Sequence, residues 1–110
     1  MEADPSDKVF KALADPGRRL LLDRLRAEDG QTLRRLCEDM GMTRQAVAKH
    51  LRVLEEASLV VPIRRGREKL HHLNPAPIQE IADRWIGRFD RGRLRALADL
   101  KAKLEGDPDG

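Results

Sequence analysis

The stretch Met42–Glu56, MTRQAVAKHLRVLEE, decides the fold. Val47, Leu51 and Leu54 recur at helical spacing, so the segment reads as an amphipathic helix with those residues on its buried stripe. Thr43 stands where a first helical turn needs a side-chain oxygen to accept one of its free N–H groups. Arg44, Gln45, Ala48, Lys49 and Arg52 point away from the stripe. Such a face is either a solvated helix surface or one built to lie against a polyanion, and the flanking sequence separates the two.

Upstream, Thr32 caps a short helix whose inner residues are Leu33, Leu36, Cys37 and Met40, and Gly41 closes it in a one-residue turn before Thr43. Two short helices joined by MGMT leave only a tight, angled connection, which is a helix-turn-helix by spacing. Downstream the helix ends near Ala57 and the period changes. Leu59–Arg65 (LVVPIRR) is β-branched and apolar, Gly66 permits a tight turn, and Lys69–Leu73 (KLHHL) returns. This predicts a β-hairpin with a basic tip, RRGRE, and Pro62 confines its strand to an edge because it has no N–H to donate.

Nearer the ends, Lys8–Ala14 has Val9, Phe10 and Leu13 at helical spacing, and Asp15-Pro16 starts a second helix through about Glu28. Asn74-Pro75 starts a final helix of about 30 residues with Ile78, Ile81, Ala82, Trp85, Ile86 and Phe89 on one stripe, continued by Leu94, Leu97, Leu100 and Leu104. The expected fold is mainly α with a small β-hairpin wing: a winged helix-turn-helix of about five helices, closed by a long C-terminal helix for dimerisation. Residues 1–7 are expected to be a disordered N-terminus, 8–104 one DNA-binding and dimerisation domain, and 105–110 a disordered tail.

Composition narrows the class. The 110 residues are 37% charged and 3% aromatic, which suits one small helical domain with long charged faces. One cysteine excludes an intrachain disulfide and a multi-cysteine metal cage, and fits a reducing cytoplasm. No apolar run approaches the roughly 18 residues of a membrane span, so a soluble cytoplasmic protein with no membrane partner is expected. Thr43–Leu73 carries seven basic residues against three acidic ones, a net +4, while the remainder carries fifteen against sixteen. The basic excess is therefore local to the helix and the hairpin, as a polyanion-binding face requires.

At FKALADPGRRLLLDRL, TRQAVAKHLRVLEEASLV and LHHLNPAPI the chain resembles the ArsR family of bacterial repressors over about residues 8–104, with Ser58 where the family usually has Gly. That resemblance implies a homodimeric regulator of transcription bound to double-stranded DNA. In this setting Thr43, Arg44 and Gln45 occupy the outward N-terminal turn that meets base edges. Arg suits the O6/N7 edge of guanine and Gln the N6/N7 edge of adenine, and Ala46 or Ala48 can touch a thymine methyl. Lys49 and Arg52 lie further along, toward phosphates, and His50, a position where the family also has His, bonds backbone or phosphate. Arg64, Arg65 and Arg67 would reach the minor groove or its flanking phosphates. The final helix exceeds what so small a domain covers, so Phe10, Leu13, Ile81, Trp85, Ile86, Phe89, Leu97 and Leu100 form the expected dimer interface.

The family's metal sensors carry two cysteines one residue apart in the first helix of the helix-turn-helix. Aligned on KHLRVL, those positions fall on Thr32 and Arg34, and an Arg there opposes a cation. Cys37 sits on the apolar face, and neighbouring strand residues His71 and His72 point to opposite sides and cannot share an ion. No metal, cofactor or catalytic residue is therefore expected, and no inducer is specified by these residues. Two alternatives remain: a winged-helix module that docks an acidic protein partner, and a metal-responsive repressor with an atypical site. An enzyme is disfavoured, since no nucleophile–His pair or phosphate-cradling Gly loop is present.

Overall fold

The computed structural model describes residues 4–86 and 91–106. The element order is α1 Pro5–Leu13, α2 Pro16–Ala27, α3 Leu33–Cys37, α4 Arg44–Glu56, β1 Val60–Arg65, β2 Glu68–Leu73, α5 Ala76–Trp85 and α6 Arg91–Gly106. The starts of α1 to α4 are set by short polar side chains, each accepting a backbone N–H that the helix itself leaves free. Asp4 caps α1 through Ser6 at 3.0 Å, Asp15 caps α2 through Arg18 at 3.1 Å, Thr32 caps α3 through Arg35 at 3.2 Å, and Thr43 caps α4 through Ala46 at 3.1 Å. The Asp4 cap starts α1 at Pro5, so residues 5–7, expected to be disordered, are helical.

The turn between α3 and α4 is longer than one residue. α3 stops at Cys37, and Glu38 and Met40 donate to Arg35 and Cys37, three residues back, which tightens the chain out of α-helix. Asp39 (φ 57°) and Gly41 (φ 68°) both take the left-handed conformation, and buried Met40 anchors the turn to the core. α4 ends in a Schellman motif: Ser58 N–H donates to Glu55 O and Leu59 N–H to Leu54 O, both at 2.9 Å. This places Ser58 at φ 60°. Asn74 then ties the end of β2 to this corner, its N–H donating to Leu59 O and its side-chain amide to Ser58 O, both at 2.8 Å.

β1 and β2 pair antiparallel from Val60↔Leu73 to Arg65↔Glu68, around a two-residue turn whose first position, Gly66, has φ 65°. β2 pairs on its other side with Gln31, whose N–H and C=O exchange bonds with His71 at 3.1 and 2.8 Å. His71 therefore spends its backbone groups on Gln31, so its β1 partner Pro62 faces a position where no N–H is needed. That is why the wing tolerates a proline.

The chain divides into two compact units after Gln79. The core of the first gathers Val9 and Ala12 of α1, Leu21, Leu22 and Leu25 of α2, Leu36 of α3, Val47, Leu51 and Leu54 of α4, and Leu59 and Val60. Its buried polar residues are satisfied. His71 Nδ1 donates to Gln31 O at 2.9 Å, and the Gln31 amide donates to Arg24 O and Glu28 O at the end of α2. The expected long final helix is instead two helices: α5, which begins in the first unit, and α6. α5 stops at Trp85, just before Gly87 in the sequence, a residue type about 1 kcal/mol poorer than Ala in a helix. Among the described residues no helix is long and apolar enough to cross a membrane.

Candidate nucleic-acid interface

α4 is placed by three contacts of its buried stripe. Val47 and Leu54 are fully buried and Leu51 nearly so, so the helix has one rotational setting and its outer face is determined. Thr43, Arg44, Gln45, Lys49 and Arg52 are exposed on that face, while Ala46 and Ala48 are half-buried along its edges. Arg64, Arg65 and Arg67 are exposed at the end of the hairpin. The expected reading and anchoring residues are thus presented, with one exception.

His50 turns toward α2. Its Nδ1 accepts from the Arg18 guanidinium at 3.4 Å, which leaves Nε2 facing Asp15 Oδ2 at 3.8 Å. The side chain is 20% exposed. Arg18 also donates to Ala12 O at 2.8 Å and to Lys11 O at 2.9 Å, so one guanidinium joins the end of α1, the start of α2 and the middle of α4. The Arg18 backbone N–H holds the Asp15 carboxyl below its ordinary 3.8; desolvation opposes this, and the Arg18 guanidinium and the Gly17 N–H add to the lowering. Gly17 sits against this cluster: a Cβ there would meet Asp15 Oδ2 at 2.9 Å and His50 Nε2 at 3.2 Å.

Beside the outer face lies a recess of about 390 Å³ between α3, α4 and β2. Its wall includes Arg34, Arg44, Arg52 and Lys69, with Glu55 as its one carboxylate. Glu55 is half-buried and its Oε1 lies 3.9 Å from Lys69 Nζ, so the last turn of α4 leans toward the wing. Its neighbour Glu56 is exposed.

A helix-turn-helix domain family model matches residues 13–63. The uncharacterized HTH-type transcriptional regulator YuzN of Bacillus subtilis is 42% identical over 86 residues, covering 73% of this chain and 94% of its own. The structure of an ArsR-like transcriptional regulator from a Rhodococcus species superposes with a TM-score of 0.68 at 34% identity, covering 88% of this chain and 90% of that one. The chain belongs to the ArsR family of winged helix-turn-helix transcriptional regulators. The transcriptional repressor SdpR of Bacillus subtilis is 28% identical over 86 residues, 78% of this chain and 94% of its own.

In this ArsR-family chain the positions corresponding to the metal sensors' cysteines do other work. The Thr32 hydroxyl caps α3, and Arg34 stands on the wall of the recess. His72 Nδ1 bonds Asp29 Oδ2 at 3.0 Å, and Leu73 N–H donates to Asp29 Oδ1 at 2.7 Å. His71 and His72 therefore do face apart, each with its own partner. Cys37 is half-buried, and among the described residues no group of three or more His, Cys, Asp or Glu could hold a metal ion. Arg34 and Lys69 were not among the expected interface residues, because their proximity to Arg44 and Arg52 exists only once α3, α4 and β2 are packed.

The expected dimer residues divide between the units. Phe10 is 41% exposed and Leu13 half-buried in the first; Ile81 is half-buried in the second, where Trp85, Ile86, Leu97 and Leu100 are 54%, 49%, 55% and 54% exposed. Phe89 lies outside the described residues.

Proposed function

We propose that this protein is a homodimeric repressor that binds a two-fold symmetric operator, with the N-terminal turn of α4 reading bases in the major groove and the hairpin tip in the flanking minor groove. The observation that carries this reading is the charge left unspent on α4. Among the described residues Arg44, Lys49 and Arg52 make no ion pair within the chain, whereas Arg18, Arg19 and Arg24 of α2 are bound to backbone carbonyls. Unpaired guanidinium and ammonium groups on the second helix of a helix-turn-helix suit base edges and phosphates.

One such helix spans few base pairs, and a dimer doubles the site, with half-sites about 34 Å apart. Half-exposed Ile86, Leu97 and Leu100 supply apolar area for self-association, supported by Phe10, Leu13, Ile81 and Trp85. Both activities fall within residues 8–104. Selection of bound sequences from random duplex DNA, followed by titration across salt concentrations, tests the reading. A two-fold symmetric motif and a linear fall of log affinity with log salt are expected. Absence of any retained duplex at low salt rejects it.

A further inference from the structure

The recess between α3, α4 and β2 is not accounted for by a helix reading bases and a wing in the minor groove. Four cations from three elements converge on it: Arg34 from α3, Arg44 and Arg52 from α4, and Lys69 from β2. Against them stands Glu55, whose buried Oε1 has no hydrogen-bond partner and has Lys69 3.9 Å away. Arg35, the neighbour of Arg34, is paired with Glu28 at 2.8 Å. Arg34, Arg44 and Arg52 have no such partner among the described residues. Like charges gathered around a recess repel one another unless an anion enters.

We infer that this recess seats phosphate groups of the DNA backbone, so that Arg34 and Lys69 join Arg52 as anchoring residues, while Arg44, in the first turn of α4, reads bases. The inference rests on the DNA-binding reading above and extends the footprint from α4 and the hairpin tip onto the first helix of the helix-turn-helix. The recess adjoins the α4 face, as a strand flanking the major groove requires, and Leu33, Ala48 and Leu51 form its apolar floor. The cations on its rim are supplied with length and flexibility to follow a backbone, and phosphate contacts of this kind fix register without specifying sequence.

The test compares wild-type protein with Arg34→Ala, Lys69→Ala, Arg44→Ala and the control Arg26→Ala, binding a fluorescent duplex at several salt concentrations. Arg26 is exposed on α2 and does not line the recess. Loss of one phosphate contact lowers the salt slope by about 0.9, which is about five-fold in affinity at 0.15 M salt and about fifteen-fold at 0.05 M. Arg34→Ala and Lys69→Ala should each show this loss on specific and random duplex alike, Arg34→Lys should restore most of it, and Arg26→Ala should change nothing. Equal melting temperatures establish that the variants are folded. If Arg34→Ala and Lys69→Ala leave the slope unchanged while Arg44→Ala weakens binding, the seat is wrong and the DNA reading stands. If the wild-type protein binds no duplex, the underlying reading has failed. Inorganic phosphate should displace the duplex no better than chloride at equal ionic strength. Selective displacement by phosphate would assign the recess to a free anion and overturn the backbone seat.

Discussion

Replacing Ser58 by glycine should stabilise the protein. Ser58 is the left-handed residue of the Schellman motif that turns the chain from α4 into the wing, at φ 60°. An L-residue with a Cβ pays about 1–2 kcal/mol in that conformation, a strain glycine does not have. Glycine enlarges the freedom of the unfolded chain, which takes back about 0.4–1 kcal/mol. Nothing else is lost: Ser58 is exposed, and its bonds to Glu55 and Asn74 are made by backbone atoms. The net expectation is a gain of about 0.5–1 kcal/mol, or about 2–8 °C in melting temperature for a domain of this size. Thermal melting at one fixed protein concentration reads the change without mixing in dimerisation. Ser58→Ala, which keeps the Cβ, should melt close to wild type. A Ser58→Gly protein that melts at or below the Ser58→Ala variant refutes the assignment of strain to this corner.

Gln31→Ala strips the side-chain amide from Arg24 O and Glu28 O, and should cost about 1–3 kcal/mol in urea unfolding; no loss means those carbonyls are satisfied otherwise. Asp29 is held below its ordinary 3.8, first by the Leu73 N–H and then by His72, so its stabilising contribution is complete above that value and disappears as pH falls through the lower folded one. Wild-type protein should therefore exceed Asp29→Asn in stability at neutral pH and converge with it in strong acid, a pattern that parallel pH titrations would expose as absent if the pairing is idle. Leu100→Glu places a charge on a half-exposed apolar position of α6, and sedimentation should show a monomer with much weakened operator binding. A persistent dimer removes α6 from the interface.

Much of this was legible because its causes are local. Thr32 and Thr43 cap helices two or three residues away, Gly66 marks the hairpin turn, and the Val47, Leu51, Leu54 stripe gives the rotation of α4 directly. Pro62 indicated an edge strand, though only the Gln31 bridge explains why its missing donor costs nothing. What failed to show depends on distance along the chain. His50 follows Val47 by three residues and so lies on the flank of the buried stripe, but its partner Arg18 is 32 residues upstream. Glu55 follows Leu51 by four and lines the recess by the same geometry. Arg34 and Lys69 are 35 positions apart and share a wall only through packing. Apolar periodicity begins only at Val9, whereas the cap that starts α1 lies five residues earlier, at Asp4.

In the proposed complex the N-terminal turn of α4 reads sequence. Selecting bound duplexes with wild-type protein and with Arg44→Ala tests it most directly. The wild-type motif should be a two-fold repeat with half-sites about one helical turn apart, and Arg44→Ala should lose preference at one position in each half-site at a cost of about 1–3 kcal/mol. The same motif recovered at uniformly reduced affinity would show that Arg44 only anchors, and the claim would be wrong.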